Sequence, residues 1–272
     1  MKKGINIPIH AGEKANLFLL IEICENGISL VWISSHPKEI VGAEVFNVDT
    51  NEKIDIIAQN IFNHIKESKH TPEKINVSFN FKESLLIPEK YHDNSSIQEM
   101  LNLTFGENEF MTVKTDHLKE LSIYNIYRIP KTIEELCQYH FPNASLFHST
   151  TKQIQIESDT THLTCIVFYQ RIKIILFKEG KLQFAQQFDY KTQEDVAYHL
   201  LNICERYNVS PTEIKLRLKG LVVKESKLYE YLYNYFLDIN LASSNSKVAL
   251  TPHIVQQTKY FLSHLIDLAA CE

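Results

Sequence analysis

The sequence predicts a mixed α/β protein built as a duplication of one β-β-β-α-β-α unit. Three observations carry this. The stretch from Leu163 to Leu218 reads as three short strands, a capped helix and a fourth strand, and the stretch from Leu17 to Phe79 reads the same way. One constant offset carries Ile57, Ala58, Ile61, Phe62 and Ile65 onto Val196, Ala197, Leu200, Leu201 and Cys204. The same offset carries Thr71-Pro72 onto Ser210-Pro211 and Ile75 onto Ile214, with no gap from the helix through the following strand. Two amphipathic helices can always be slid into register, so the shared Thr/Ser-Pro stop and the shared three-strand lead-in give the match its meaning.

In the earlier copy, Leu17 to Cys24 and Ile28 to Ile33 are apolar and β-branched, and Asn26-Gly27 between them is a strong hairpin signal. Val41 to Val48 is a third strand. Thr50 or Asn51 then caps a helix with Ile54, Ile57, Ala58, Ile61, Phe62 and Ile65 on its apolar face. Ile75, Val77 and Phe79 alternate as the next strand. In the later copy, Leu163 to Tyr169 and Ile172 to Phe177 are strands joined by Gln170-Arg171, and Glu179-Gly180 turns into a third strand, Leu182 to Phe188. Thr192 caps the helix with Asp195 as its capping-box partner. Ile214, Leu216 and Leu218 form the closing strand, ended by Gly220.

Residues 85–150 insert further elements into the first half. Ser95 or Ser96 opens a helix through Ile97, Met100, Leu101 and Phe105; Thr112-Val113-Lys114 and Ile123 to Tyr127 are strands; Thr132 caps a helix with Glu135. Ser145 to His148 is a strand, and the polar run Ser149 to Gln153 is the predicted linker, dividing the chain into lobes at 1–150 and 151–272. After the second copy, Ser226 or Lys227 opens a helix with Leu228, Tyr231, Leu232, Tyr235, Phe236 and Ile239 on its apolar side. Thr251-Pro252 opens a last helix through Phe261, Leu265 and Leu268.

Composition narrows the function. A chain of 272 residues, 44% hydrophobic and 22% charged, is globular, and its net charge of −5 argues against a nucleic-acid surface. Five scattered cysteines without a CxxC read as reduced thiols in a cytoplasmic protein. Lys2-Lys3 is not followed by an apolar run, and Leu17 to Cys24 is interrupted by Glu22 and too short to span a bilayer, so no secretory signal or transmembrane segment is expected.

Three passages, Leu20 to Trp32, Tyr190 to Leu201 and Leu216 to Gly220, resemble a family of uncharacterised bacterial proteins from Bacteroidota over nearly the whole chain. That family is assigned to the actin-like ATPase fold, a duplicated ribonuclease-H-like fold that PilM, GspL and FtsA share more distantly. The resemblance implies two ribonuclease-H-like halves. It also implies where chemistry would sit: actin-like ATPases hold nucleotide phosphates in the hairpin turn after the first strand of each half.

Those turns need glycines so that backbone N–H groups can face an anion. The first here is Cys24-Glu25-Asn26-Gly27, with a glutamate that would repel phosphate. The second, Tyr169-Gln170-Arg171, has no glycine, and Arg171 reads as a solvated turn residue. The adenosine-side glycine pair is reduced to Gly220. Seven glycines in the chain fall well below the usual ~7%. A ribonuclease-H-type metal site needs converging carboxylates; Glu22 is at the right strand, but Ser78 and Asn80 stand where partners would be, so Glu22 reads as an edge or outward-facing residue. Cys137 and His140 have a C-x-x-H spacing with no second pair. In the run Leu228 to Phe236, one helical stripe cannot bury every tyrosine, which leaves Tyr229 or Tyr233 exposed as interface candidates.

The resulting expectation is a two-lobed actin-like protein, leaning away from catalysis, that binds an unidentified protein as a scaffold or assembly factor. ATP and Mg²⁺ are disfavoured, and no catalytic residue or metal ligand is assigned. The alternative is a nucleotide-dependent phosphotransferase using an atypical inter-lobe site around Glu22, Arg171 and Gly220. Self-association is the third reading.

Overall fold

The structure is a computed structural model that describes residues 2–9, 16–48, 52–156, 160–241, 249–250 and 261–270. It divides into two compact units, each with its own apolar core. The first gathers the described residues of Met1–Gln155, Lys247–His253 and Leu268–Glu272; the second gathers those of Ile156–Ser246 and Ile254–Asp267.

The first unit opens with β1 (Lys2–Ile7), β2 (Leu17–Cys24), β3 (Gly27–Ser35) and β4 (Lys38–Asn47), followed by α1 (Ile54–Glu67) and β5 (Lys74–Phe79). Later come β9 (Ser145–His148) and the two-residue β15 (Ala249–Leu250). These strands form one sheet in the order β1-β4-β3-β2-β5-β9, with β15 on β4. The strands β1 to β4 pair antiparallel, whereas β5 runs parallel to β2 and β9 parallel to β5. Leu19, Ile21 and Ile23 of β2 pack into a core with Ile57, Ala58, Ile61 and Phe62 of α1. Phe18, Leu20 and Glu22, on the opposite face of β2, are buried as well, so the strand reads as a continuous apolar run rather than an alternating one.

Between β5 and β9 lies a separate three-stranded antiparallel sheet in the order β6 (Ser84–Pro88), β8 (Ile123–Pro130), β7 (Met111–Leu118). The helix α2 (Ile97–Phe105) covers it through Ile97 and Leu101 on Ile126. The chain then returns through α3 (Lys131–His140), which packs beside α1.

In the second unit, β10 (His162–Phe168), β11 (Arg171–Lys178), β12 (Lys181–Asp189), β13 (Lys215–Gly220) and β14 (Asp238–Leu241) form a sheet in the order β12-β11-β10-β13-β14. The helix α5 (Gln193–Arg206) packs Val196, Ala197, Leu200, Ile203 and Cys204 onto Leu163, Cys165, Ile172, Ile174 and Leu176. Thr192 and Asp195 form a complete capping box at its start. Two shorter helices are α6 (Lys227–Leu232), in this unit, and α7 (Ser263–Ala270), which belongs to it as far as Asp267; α4 (Ser149–Ile156) belongs to the first unit as far as Gln155.

The duplication is visible in the element order, and the sequence offset carries α1 onto α5 end to end. The strands after those helices do not keep that offset: β13 begins two residues further along than the ungapped match required. A slip of two preserves the alternation of a strand, which is why the apolar pattern matched without a gap.

Several expectations are corrected. The predicted linker Ser149 to Gln153 is the buried start of α4. Thr132 is not a cap: α3 begins at Lys131 after Pro130, with no side-chain cap. The helix opened by Ser226 stops at Leu232, and Ile239 belongs to β14, parallel to β13. The two hairpin loops are Glu25-Asn26 and Tyr169-Gln170, each one residue earlier than predicted. The proposed caps Thr50 and Asn51, the Thr251-Pro252 helix start and Cys271 lie outside the described residues; α1 itself starts after Lys53 without a side-chain cap. Among the described residues, no helix is long and apolar enough to cross a membrane.

Candidate functional site

In the first unit the fold places a two-residue turn at the end of β2, where Cys24 pairs with Gly27. The turn is already engaged. The Glu25 carboxylate accepts a hydrogen bond from the Lys82 backbone N–H (2.9 Å), and the Asn26 carbonyl accepts one from Val48 (3.0 Å). Gly27 is needed for strand approach, because a Cβ there would stand 2.6 Å from the Phe46 carbonyl oxygen.

Glu22 is not an edge residue. It sits on β2 between β3 and β5, paired with Ser29 and Ser78, and is only 4% exposed. Asn76, Ser78 and Asn80 are buried beside it on β5 and just beyond. Ser149 at the start of α4 donates to the Asn80 side-chain oxygen (2.9 Å). This is a polar, buried sheet face with one carboxylate. Among the described residues no group of three or more His, Cys, Asp or Glu side chains could hold a metal.

In the second unit Arg171 and Gly220 come together at one end of the sheet, on either side of β10: Arg171 pairs with Phe168 and Gly220 with Val167. Arg171 is not a solvated turn residue. It opens β11, is 4% exposed, and donates from Nη1 to Gln187 Oε1 (3.1 Å). The adjoining turn is held from outside the hairpin, since Tyr190 donates its N–H to the Gln170 carbonyl and its hydroxyl to the Phe168 carbonyl. Gly220 has φ +83°, and a Cβ there would lie 2.3 Å from the Val167 carbonyl oxygen; its N–H donates to Ser263 Oγ. Glycine is required by the backbone at this point. One step back along the strand, Lys219 forms a buried ion pair with Asp267 of α7 at 3.0 Å. Glu22 belongs to the first unit and Arg171 and Gly220 to the second.

The tyrosine run divides as the spacing requires. Tyr233 is exposed, Tyr229 is half-buried, and their rings stack at 6.3 Å. Tyr231 and Tyr235 pack toward the core of the second unit, and α6 lies against α5. Cys137 and His140 are both buried on α3; the His140 ring Nε2 meets the Gln59 side-chain nitrogen at 2.8 Å, and burial lowers the His140 pKa. Burial raises the thiols of Cys137 and Cys165 to about 12 and that of Cys204 to about 11, so all three are inert at neutral pH.

Sequence reasoning missed a polar cluster centred on Asp116 of β7. Its carboxylate accepts from the His148 backbone N–H (2.7 Å), the Thr151 hydroxyl (2.7 Å) and the Tyr127 hydroxyl (3.1 Å). Asn125 donates to Thr151 and accepts from Ser84. The His148 ring donates from Nε2 to the Phe81 carbonyl and accepts at Nδ1 from Thr150 N–H, which fixes its tautomer. Desolvation raises the Asp116 pKa despite its three donors. The cluster pins the inserted sheet to the start of α4; its arrangement is structural, with every hydroxyl committed.

The family model described as a protein of unknown function (DUF3822) matches residues 8–239. Among solved structures, a Bacteroides thetaiotaomicron protein with actin-like ATPase fold and unknown function superposes with a TM-score of 0.78 at 17% identity, covering 96% of this chain and 98% of that one. The PilM–PilN type IV pilus biogenesis complex gives 0.62 at 11% identity, with 92% and 97% covered. The ethanolamine utilization protein EutJ from Carboxydothermus hydrogenoformans gives 0.52 at 8%, with 98% and 92% covered. No curated protein matches the chain. The chain has the actin-like ATPase fold.

Proposed function

The chain belongs to the DUF3822 family of proteins of unknown function, and we propose that it is a cytoplasmic, non-catalytic actin-like protein that works by binding another protein as a scaffold or assembly factor. The observation that carries this reading is the state of the two hairpin turns. In an ATPase of this fold they would cradle phosphates with consecutive free N–H groups. Here each is only a two-residue loop, and the first presents a carboxylate. Two further observations speak against a nucleoside triphosphate: Gly220, the positive-φ glycine at the sheet end, donates its N–H to Ser263, and Arg171 donates to Gln187. The protein-binding half of the reading is supported by the PilM–PilN complex, in which a protein of this fold is assembled with another protein.

Thermal unfolding with and without millimolar ATP, ADP and Mg²⁺ tests the reading. A ligand present at ~100 times its dissociation constant stabilises the folded state by about 2.7 kcal/mol, enough to raise the midpoint by a few degrees. The expected result is no shift. A clear shift, or ATP turnover that is lost in Glu22→Gln, would replace the scaffold reading with the phosphotransferase one.

A further inference from the structure

The sheet edges of this protein are not protected alike. An open strand edge invites pairing with another chain, and proteins blunt it with charges, proline, bulges or shortness. Of the edges among the described residues, β1 carries Lys2, Lys3 and a register shift. The edge strand β6 is five residues long and ends in Pro88, and β7 carries Lys114, Asp116 and His117. β9 and β14 have four residues each.

β12 differs. It is nine residues long, and its charges stand only at its ends, Lys181 and Asp189. The seven residues between, Leu182-Gln-Phe-Ala-Gln-Gln-Phe188, include no charge, proline or glycine. Among the described residues it pairs with β11 alone. Its one irregularity is the register shift at Gln183, after which Phe184 to Asp189 pair regularly.

We propose that β12 is a self-association edge, through which two copies of this chain pair antiparallel about a two-fold axis at Gln186 and join their sheets. The strand is complementary to itself in that arrangement. The axis sets Phe184 of one copy opposite Phe188 of the other, twice over, and Gln186 opposite Gln186. Opposed aromatic pairs are a favourable cross-strand combination. Both rings are already ordered, Phe188 stacked on His199 at 4.3 Å and Phe184 beside Tyr207 at 6.0 Å, so pairing costs them little further entropy. Six regular residues per copy make a small interface, and the dimer is accordingly weak, in the micromolar-to-millimolar range. The proposal stands independently of the nucleotide question.

The test is sedimentation equilibrium of the whole chain up to ~0.5 mM, within that affinity range. The wild type is expected to show a reversible monomer–dimer equilibrium. Gln186→Lys, at an exposed position, places like charges face to face and is expected to weaken association by about tenfold or more; Gln186→Glu should act the same way. Gln98→Lys and Gln138→Lys, exposed on α2 and α3, change net charge equally and should leave it intact. Gln186→Cys should give a covalent dimer under mild oxidation, because opposed Cβ atoms in an antiparallel pair lie within about 5.5 Å. Unchanged unfolding midpoints exclude misfolding as the cause. A wild type that stays monomeric overturns the proposal, as do open-ended oligomers or a dimer indifferent to both charge variants.

Discussion

Asp116 and Glu22 are both carboxylates in strands of the first unit, and the sequence marks only one of them. Glu22 interrupts an apolar run and draws the eye; Asp116 sits in the polar string Lys-Thr-Asp-His and does not. Which residues converge on a carboxylate is a tertiary fact, since its donors come from Tyr127, His148 and Thr151. The consequence for stability is specific. Desolvation raises the Asp116 pKa above its ordinary value of 3.8, so the folded chain holds this proton to a higher pH than the unfolded chain. Stability from this group is therefore full below 3.8, falls as pH rises through the window up to the raised folded value, and is level above it. Asp116→Asn should remove that fall while keeping the cluster. The amide oxygen can serve both His148 and Thr151, and the Tyr127 hydroxyl can turn to accept from the amide nitrogen. Chemical denaturation of both proteins across the acid range checks this: the difference curve should slope through that window, and a flat difference would assign the acid dependence to other groups. Arg171 was misread for the reason Asp116 was missed. A turn residue in sequence became the first residue of a strand whose neighbours bury it.

At the scale of elements, what was legible is what is locally encoded. The α5 helix has its cap, its capping-box partner and its apolar stripe within its own sequence, and the structure begins it where those signals place it. Thr192→Ala should cost about 1 kcal/mol, the usual value of an N-cap hydroxyl, read as a lowered denaturation midpoint with unchanged slope; a loss within error would mean that the packing of Val196 and Leu200 alone sets the helix start. The α4 and β14 segments were illegible because long-range partners decide them. The hydroxyl-rich run Ser149-Thr-Thr looks like a linker until Asn80 and Asp116 receive two of its hydroxyls. Ile239 keeps helical spacing with Phe236, yet the open side of β13 offers it a parallel ladder, Leu216 to Ile239, and α6 ends early. β1 was not foreseen at all: Lys-Lys-Gly-Ile-Asn-Ile has little strand character, and it pairs because β4 offers it an edge.

Over the whole molecule the two units repeat one element order while their corresponding positions have diverged in chemistry. Register fixes the correspondence: Glu22, flanked by Ser29 and Ser78, answers to Ile166, flanked by Lys173 and Lys219. The first unit thus buries a carboxylate where the second buries two ammonium groups beside an isoleucine. Such a pattern keeps the duplicated backbone and discards any shared chemistry, which bears on why the proposed reading expects no nucleotide affinity. If a single repelling group were responsible, removing it would restore affinity. If the turns themselves are too short, it would not. A phosphate cradle needs several consecutive N–H groups turned to one point, and a two-residue hairpin loop has no length for them, whatever its side chains. The double variant Glu25→Gly, Gln170→Gly removes the first turn's carboxylate, frees the first loop to adopt left-handed backbone, and relieves the second of a side chain at a position that is already left-handed (Gln170, φ +57°). It should still show no midpoint shift with millimolar ATP and Mg²⁺, and it should be less stable than the wild type, since the Lys82 N–H loses the carboxylate it donates to. A shift of a few degrees in the variant but not in the wild type would show that the fold retains a nucleotide site masked by two side chains. The duplication would then be a dormant ATPase rather than a scaffold.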